Sequence, residues 1–293
     1  PTPTSRIKEL DALRGIGAAM VVLFHYTTAF DDLYGHPTPL PFNFDIGYYG
    51  VHLFFLVSGF VIYMTLERTS DARRFVISRA TRLFPAYWTA ILITFAVVTL
   101  VGLPGSERTV WEALANLTML QEYAGIRHID GVYWTLSVEL AFYAWMFIAF
   151  RAGLLRKPVR TLLIWLTVNI LAIGTAVSLE VPLPQAVRIL LLTEYGNLFF
   201  AGIGFYLWRQ HHSPTAVVLI ALTLILEATL RPDAIVINLA INALFALATT
   251  RRFPLLATRP LLYLGAISYP LYLVHQYIGY VIIRQLYAWN LGH

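Results

Sequence analysis

The 293-residue sequence contains no cysteine and few charged residues. The absence of cysteine excludes disulfide bonds, thiol catalysis and thiolate metal sites. Charged residues make up 13% of the chain and hydrophobic residues 58%, whereas soluble domains average about 25% charged residues. A soluble core does not explain so little charge, and we therefore predict an integral membrane protein.

Long apolar runs separate the few charged positions. Membrane-spanning helices need about 17–25 mostly apolar residues, and the sequence offers nine candidate spans: 10–30, 46–66, 83–103, 132–150, 159–179, 186–208, 216–230, 234–249 and 261–283. Polar residues interrupt the sixth candidate and could break it. We expect an all-α integral membrane protein, a bundle of about nine or ten transmembrane helices. It should form one transmembrane domain over residues 1–293, with residues 1–5 as a short disordered tail.

Positive charges are distributed unevenly between alternate loops. If the N-terminus is cytoplasmic, 15 of the 21 lysines and arginines lie on the inner side and three on the outer side. An excess of Lys and Arg in cytoplasmic loops is the positive-inside pattern of multi-pass proteins. The pattern predicts a lipid-embedded protein of the inner (cytoplasmic) membrane with a cytoplasmic N-terminus. It also accounts for the net charge of +5 without a nucleic-acid partner.

The first apolar run carries three ionisable residues, Asp11, Arg14 and His25. Arg14 and His25 are eleven residues apart, so on an α-helix they share one face and lie about 16 Å apart along its axis. Ionisable side chains inside a membrane are costly and usually functional. His25 is therefore a candidate catalytic residue in the outer half of its helix. The alternatives are a hydrogen-bonded core histidine for His25 and a local ion pair for Asp11 with Arg14.

Arg79 and Arg82 lie three residues apart at the predicted inner membrane surface. On a helix this spacing places both side chains on one face. Planar guanidinium groups bind phosphates through paired hydrogen bonds. Anchoring to anionic lipid headgroups is an equally good interpretation of the pair.

The fourth run begins with Trp134, Thr135, Ser137 and Glu139. It enters from the outer side, so Glu139 is expected at a depth similar to that of His25. A carboxylate within a span usually has a partner, and here it could orient or charge an imidazole in a general acid–base site. A structural, hydrogen-bonded glutamate is the alternative.

The last run contains Pro270 and His275. Proline inside a helix should kink it and leave one backbone carbonyl free. His275, near mid-depth, either lines a cavity or hydrogen-bonds a neighbour, and His52 in the second run is a similar but weaker case. The spacing of histidines and carboxylates predicts no metal site.

Taken together, these segments resemble the acyltransferase 3 family, multi-span membrane O-acyltransferases of bacterial envelopes and of some animal proteins. The resemblance covers nearly the whole chain, in five ordered segments: 10–25, 50–60, 79–87, 134–139 and 267–275. It departs at His52, where the family commonly has Asp, and at Thr135, where it commonly has Ser. Family members usually have a further span after the last motif, so either the chain is trimmed there or the count of spans is one short.

The resemblance implies transfer of an acyl group, with acetyl the expected one, from cytoplasmic acyl-CoA to a sugar hydroxyl of an envelope or extracellular glycan or glycolipid. His25 would be the catalytic base or carry the acyl group, assisted by Glu139 and Arg14. Arg79, Arg82 and Arg14 would bind the acyl-CoA donor, and no metal is expected. The residues expected to bind substrate are Trp134, Ser137, Tyr269 and His275.

Two other classes of protein fit part of this pattern. A proton-coupled transporter of a small solute or polysaccharide precursor also uses intramembrane Arg, His and Glu beside a proline-kinked helix. A scaffold or flippase partner in a polysaccharide assembly complex is the third possibility. Acyl transfer from labelled acetyl-CoA separates the enzyme from both.

Overall fold

The computed structural model describes residues 7–69, 71–250 and 253–289, which form helices joined by short connections and no β-strand. The expected tail at residues 1–5 lies outside the described residues. A π-helical segment, His25–Ala29, joins the first two α-helices. The α-helices are α1 (Lys8–Phe24), α2 (Phe30–Tyr34), α3 (Gly50–Arg68), α4 (Ala72–Val101), α5 (Val110–Asn116), α6 (Trp134–Arg151), α7 (Pro158–Ser178), α8 (Gln185–Leu191), α9 (Gly196–His211), α10 (Pro214–Leu230), α11 (Ile235–Thr249) and α12 (Arg259–Ala288).

Among the described residues, seven helical segments are long and apolar enough to cross a membrane. The prediction of an all-α, multi-pass protein is confirmed, but the expected nine or ten spans are corrected to seven. The expected span at 216–230 corresponds to α10, which has only 17 residues. The expected span at 261–283 lies in α12, which is 30 residues long but contains His275, Gln276 and several tyrosines that reduce its apolar character.

The sixth candidate span is broken, as its polar residues suggested. Helix α8 ends at Leu191 and α9 begins at Gly196. Between them Leu192 adopts a left-handed backbone conformation with φ of 58°, which a helix does not accommodate. The break places Tyr195 between the two helices.

Helix α1 packs between α3 and α12 through glycines. A Cβ atom at Gly15 would lie 2.6 Å from the backbone nitrogen of Gly265 in α12, and one at Gly17 would lie 2.8 Å from the carbonyl oxygen of Gly50 in α3. Such distances are below van der Waals contact, so only glycine allows these backbones to approach. The close packing brings the polar residues of α1 against both neighbouring helices.

Helix α4 starts eleven residues before the span predicted to begin at residue 83. Asp71 caps its N-terminus, since the Asp71 carboxylate accepts a hydrogen bond from the Arg73 backbone N–H at 2.9 Å. Pro85 would lie in the first turn of a helix that began at residue 83, but it lies in the interior of the longer helix. As a result Arg79 and Arg82 belong to the same continuous helix as the apolar part of the span.

Candidate functional site

A cavity of about 200 Å³ lies among α1, α3, α4, α6 and α12. Five of the residues predicted to act in catalysis or binding line it: Arg14, Arg79, Arg82, Glu139 and Tyr269. The structure therefore brings together, on four helices, residues that are up to 255 positions apart in the chain. We call this space the central cavity.

The central cavity carries a net positive charge. Three arginines line it, whereas Asp11 and Glu139 are its two carboxylates. Arg14 interacts electrostatically with both Arg82 and Glu139, unfavourably with the first and favourably with the second. An excess of one positive charge in a confined, mostly apolar space favours an anionic ligand.

Arg79 has unused hydrogen-bonding capacity in the central cavity. Its Nε and Nη1 atoms are buried and donate no hydrogen bond to a described residue, while Nη2 donates to the Ser78 hydroxyl at 3.1 Å. Leaving a buried donor unpaired costs about 1–3 kcal/mol, and more when the group is charged. The arrangement is suited to an anion with two acceptor oxygens, such as a phosphate.

Glu139 is held by two hydroxyl groups that sequence analysis did not single out. Ser58 Oγ and Tyr143 Oη each donate to Glu139 Oε1 at 2.5 Å. Both residues also line the central cavity. Tyr143 follows Glu139 by one helical turn, a spacing that could have indicated the contact. Ser58 lies in an apolar run of another helix and has no comparable signal.

His25 opens the π-helical segment and contacts His275 of α12. Its Nδ1 lies 2.8 Å from the Val21 carbonyl oxygen and 3.1 Å from His275 Nε2. His275 Nδ1 in turn lies 2.8 Å from the Tyr272 carbonyl oxygen. Because carbonyl oxygens only accept, Nδ1 carries the proton in each ring. The His25 Nδ1–H is then shared with His275 Nε2, and the lone pair of His25 lies on Nε2.

Tyr26 reinforces the contact between these two histidines. Its hydroxyl donates to the His275 carbonyl oxygen at 2.8 Å, and its ring fills the space beside Gly279, where a Cβ would lie 2.3 Å from the Tyr26 oxygen. The π-helical turn inserts an extra residue into the helix at this point, and such turns occur frequently at functional sites. We refer to His25 and His275 as the histidine pair.

The histidine pair adjoins the central cavity through Tyr272. Tyr272 lines the cavity, and its ring centroid lies 5.7 Å from that of His275. Its hydroxyl shares a hydrogen bond of 2.8 Å with Thr135 Oγ1. Thr135 thus retains a hydrogen-bonding hydroxyl at a position where the family commonly has serine. Tyr272 therefore lies between the arginine-lined space and His275, the partner of His25.

The expected pairing of His25 with Glu139 does not form. Glu139 lies in the central cavity with its hydroxyl partners, whereas the ring partner of His25 is His275. The prediction used depth along the membrane normal, which leaves the position around the bundle undefined. The packing of α12 along α1 determines the neighbour of His25.

The remaining residues expected to bind substrate are dispersed. Tyr269 lines the central cavity, and its hydroxyl donates to the Leu83 carbonyl oxygen at 2.9 Å. Trp134 lines a separate cleft, with its ring 5.1 Å from that of Tyr195. Ser137 is fully buried and lines neither the central cavity nor the cleft beside Trp134.

His52 belongs to a different polar cluster. The fully buried His52 ring lies with Nδ1 2.7 Å from Asn238 Oδ1 and 3.8 Å from Glu227 Oε1. Glu227 pairs with Arg231 at 2.9 Å. These contacts join α3 to α10 and α11, so we interpret His52 as a structural residue.

Asp130, immediately before the span that contains α6, is a further buried carboxyl group. It accepts hydrogen bonds from the backbone N–H groups of Val132 and Tyr277, at 3.2 and 3.1 Å. Burial raises the pKa of Asp130 to about 7. The contact with Tyr277 fixes α12 two residues after His275. Among the described residues, no group of three or more His, Asp or Glu side chains is placed to hold a metal ion.

Comparisons with known proteins agree with the motifs. A model of the acyltransferase 3 family, described as an acyltransferase domain, matches residues 7–292. The exopolysaccharide production protein ExoZ of Rhizobium meliloti is 32% identical over 111 residues, or 35% of this chain and 34% of that protein. Nodulation protein 10 of Rhizobium leguminosarum bv. viciae is 29% identical over 154 residues, or 45% and 41%. The matched regions thus cover less than half of either relative, and no solved structure matches.

Proposed function

We propose that the chain, which belongs to the acyltransferase 3 family, is a membrane O-acyltransferase. It moves an acyl group, expected to be acetyl, from cytoplasmic acyl-CoA to a sugar hydroxyl of an envelope or extracellular glycan. The observation that carries this proposal is the positively charged central cavity, which one tyrosine separates from the histidine pair. The name of the ExoZ relative supports a carbohydrate acceptor.

The central cavity forms part of the donor site. Acyl-CoA is a polyanion with a long, thin pantetheine arm that ends in the thioester. Arg79 and Arg82 bind its phosphates, and the two buried, unpaired donors of Arg79 supply charge-assisted hydrogen bonds. Arg14 lies on α1 in the same lining and extends the positive charge along the arm. Glu139, held by Ser58 and Tyr143, partly offsets the repulsion among the three guanidinium groups.

The catalytic atom is His25 Nε2. This nitrogen removes the proton from the acceptor hydroxyl while the hydroxyl oxygen attacks the thioester carbonyl carbon. The C–S bond then breaks, and the departing CoA sulfur takes the proton back from His25. His275 Nε2 accepts from His25 Nδ1–H, so the partner histidine holds the tautomer that the reaction needs and stabilises the transient imidazolium.

A two-step route uses the same atom. His25 Nε2 attacks the thioester carbonyl carbon directly, and the C–S bond breaks to release the CoA thiolate. The acceptor hydroxyl oxygen then attacks the acyl carbon, the C–N bond to His25 breaks, and the hydroxyl proton passes to the freed Nε2 and from there to the CoA thiolate. The two routes differ in one observable. Only the second produces labelled protein when the enzyme is mixed with radiolabelled acetyl-CoA in the absence of acceptor and rapidly quenched.

The proposed topology rests on the positive charges of the loops between the first five spans, whose order is the same in the count of seven as in the count of nine. With a cytoplasmic N-terminus, Arg79 and Arg82 lie towards the cytoplasm and the histidine pair lies towards the outer side of the inner membrane. The whole chain acts as a single transmembrane acyltransferase domain. The donor and acceptor then reach one catalytic group from opposite sides, and the enzyme needs no separate translocation of acyl-CoA.

The proposed function is tested by measuring whether purified protein in nanodiscs releases CoA from acetyl-CoA only when the acceptor is present. A transferase releases free thiol and labels the glycan, whereas a proton-coupled carrier does neither. Release of thiol that His25→Ala abolishes, with CoA binding retained, supports the proposal. The absence of any transfer or hydrolysis by wild-type protein that binds CoA would contradict it.

A further inference from the structure

A second cavity opens beside the outer end of α6. Its volume is about 370 Å³, and it lies between the 3-10 helix Asp45–Tyr49, the connection before α6, and α8. We call it the outer cleft. Small-molecule sites have volumes of about 300–1,000 Å³, so the outer cleft is large enough for a monosaccharide or disaccharide.

One wall of the outer cleft is aromatic. Trp134, Tyr195 and Tyr48 line it, with the Trp134 and Tyr195 ring centroids 5.1 Å apart. The hydroxyl groups of Tyr48 and Tyr195 share a hydrogen bond of 2.8 Å. Aromatic rings with polar edges present both an apolar face and hydrogen-bonding groups. A sugar ring has the complementary surface, with C–H groups on its faces and hydroxyls around its rim.

The lining of the outer cleft also includes a carboxylate, Glu122, with unused acceptor capacity. Glu122 is almost completely buried, with 8% of its side chain exposed. Gln185 Nε2 donates to Glu122 Oε1 at 2.7 Å. Glu122 Oε2 is buried without a well-formed hydrogen bond to a described residue, although His128 Nε2 lies 3.3 Å away. A carboxylate in this state is a strong acceptor for ligand hydroxyl groups.

The charges of the outer cleft differ from those of the central cavity. Arg188, its one lining arginine, pairs with Glu194 at 2.6 Å. The positive charges of the cleft are therefore balanced by carboxylates, and the site is not suited to a polyanion such as CoA. A neutral, hydroxyl-rich ligand fits it better.

The outer cleft is also adjacent to the proposed chemistry. Tyr48 contacts the Phe24 ring at 5.9 Å, and Phe24 contacts the His25 ring at 5.1 Å. On the other side, Trp134 directly precedes Thr135, the hydrogen-bond partner of Tyr272. Two series of contacts thus connect residues that line the cleft with the histidine pair.

We propose that the outer cleft binds a neutral sugar unit of the acceptor glycan and so selects the carbohydrate that is acylated. This inference rests on the proposed function, because it names the acceptor site of the same reaction. Glu122 accepts hydrogen bonds from sugar hydroxyl groups, and the aromatic wall packs against the face of the ring.

Glycan binding tests the cleft independently of catalysis. Fluorescently labelled protein in nanodiscs is applied to an array of bacterial surface oligosaccharides, and the neutral oligosaccharides that bind are titrated in solution. Glu122→Gln keeps the shape of the side chain and removes its charge. It should weaken binding by about 10- to 100-fold, the range expected for one hydrogen bond to a charged group.

Two further variants make the result specific. Tyr48→Phe keeps the ring and removes one hydroxyl, so it should weaken binding less than Glu122→Gln, and it nearly conserves the side-chain volume. Asp32→Asn changes an exposed carboxylate of α2 outside the cleft and should leave the affinity unchanged. Binding of no neutral oligosaccharide, or binding that both Glu122→Gln and Tyr48→Phe leave unchanged, overturns the proposal.

The transfer assay separates failure of the cleft from failure of the proposed function. If both are right, Glu122→Gln raises the KM for the glycan by a factor similar to the loss of affinity. If the wild type binds sugar in the cleft but transfers no acyl group, the cleft stands and the proposed function fails. If transfer occurs and its KM for glycan is unaffected by Glu122→Gln, the cleft is wrong and the function stands.

Discussion

Replacing Arg79 by alanine should weaken binding of acyl-CoA by at least about 100-fold. Two of the three guanidinium nitrogens, Nε and Nη1, are buried and unpaired. A phosphate that accepts from both forms two hydrogen bonds to a charged group, each worth about 1.5–3 kcal/mol. The lower limit, about 3 kcal/mol for the two, corresponds to a factor of more than about 100 in Kd. We use the lower limit because Arg82 and Arg14 remain to attract the ligand.

Isothermal titration of CoA into the purified protein measures this effect. Nanodiscs of neutral lipid and constant ionic strength are needed, since anionic headgroups compete for arginine and salt screens exposed charges. Arg79→Lys should give an intermediate Kd because lysine keeps the charge but lacks the planar fork.

Arg74→Ala is the matched control for Arg79→Ala. Arg74 lies on the same helix, its side chain is 85% exposed, and it pairs with Asp71 at 3.6 Å outside the cavity. We expect Arg74→Ala to change the Kd for CoA by less than about twofold. An Arg79→Ala protein with the CoA affinity of the wild type would refute the donor-site reasoning. It would favour the alternative in which Arg79 anchors the helix to anionic lipid.

Three further predictions concern the histidine pair, Asp130 and the glycine contact of α1. His275→Ala should lower kcat by about tenfold or more at unchanged KM for acyl-CoA. His275→Gln should recover part of the rate, because its amide oxygen can accept a hydrogen bond from His25 Nδ1–H. Equal rates of His275→Ala and wild type in steady-state assays would contradict this role. Because the folded pKa of Asp130 is about 7 and the unfolded value about 3.9, the folded state retains a proton that the unfolded state loses. Stability should therefore fall by up to about 1.4 kcal/mol per pH unit between about pH 4 and 7, as measured by denaturant unfolding in detergent, and Asp130→Asn should remove that part of the slope; an unchanged slope would contradict the assignment. Gly15→Ala should lower Tm, because the new Cβ would clash with Gly265 and such overpacking costs about 1–3 kcal/mol. Gly174→Ala, with no atom within 4 Å of the new Cβ, should not lower Tm. Thermal scans in which both variants match the wild type would argue against the close contact of α1 with α12.

Residues of the central cavity were predictable because ionisable side chains are costly inside a membrane and usually have a structural or functional role there. Arg14 and Glu139 stood out in apolar runs, and Arg79 and Arg82 stood out by their spacing beside one. The structure places all four around one space. The sequence carried this information because lipid does not tolerate ionisable side chains without partners.

The partner of His25 was not predictable from the same reasoning. Spacing along a helix defines depth and face, so it pointed only to Glu139 as the neighbour of His25 and gave no reason to choose His275. The choice between them depends on how α12 packs on α1, and that packing is determined by the contact of Gly15 with Gly265. Glycines in apolar runs are common, and neither one indicates its partner.

The predicted count of nine or ten spans was too high, because the apolar runs did not show which helices can cross a membrane. Apolar runs predicted the helices themselves, including α10 and α12, but the number that can cross a membrane depends on length and on polar content. Helix α12 carries His275 and Tyr272 because it forms one wall of the site. The residues proposed to act in the site are also those that lower the mean hydropathy of α12.

Transfer of radiolabel from acetyl-CoA to glycan by purified wild type and His25→Ala tests the central claim most directly. Nanodiscs give access to both sides, and CoA titration confirms that the variant still binds the donor. We predict acceptor-dependent labelling by the wild type and a loss of at least about 100-fold in His25→Ala, in line with the rate that a general base contributes. Labelling by His25→Ala at the wild-type rate would contradict the assignment of His25 as the catalytic residue.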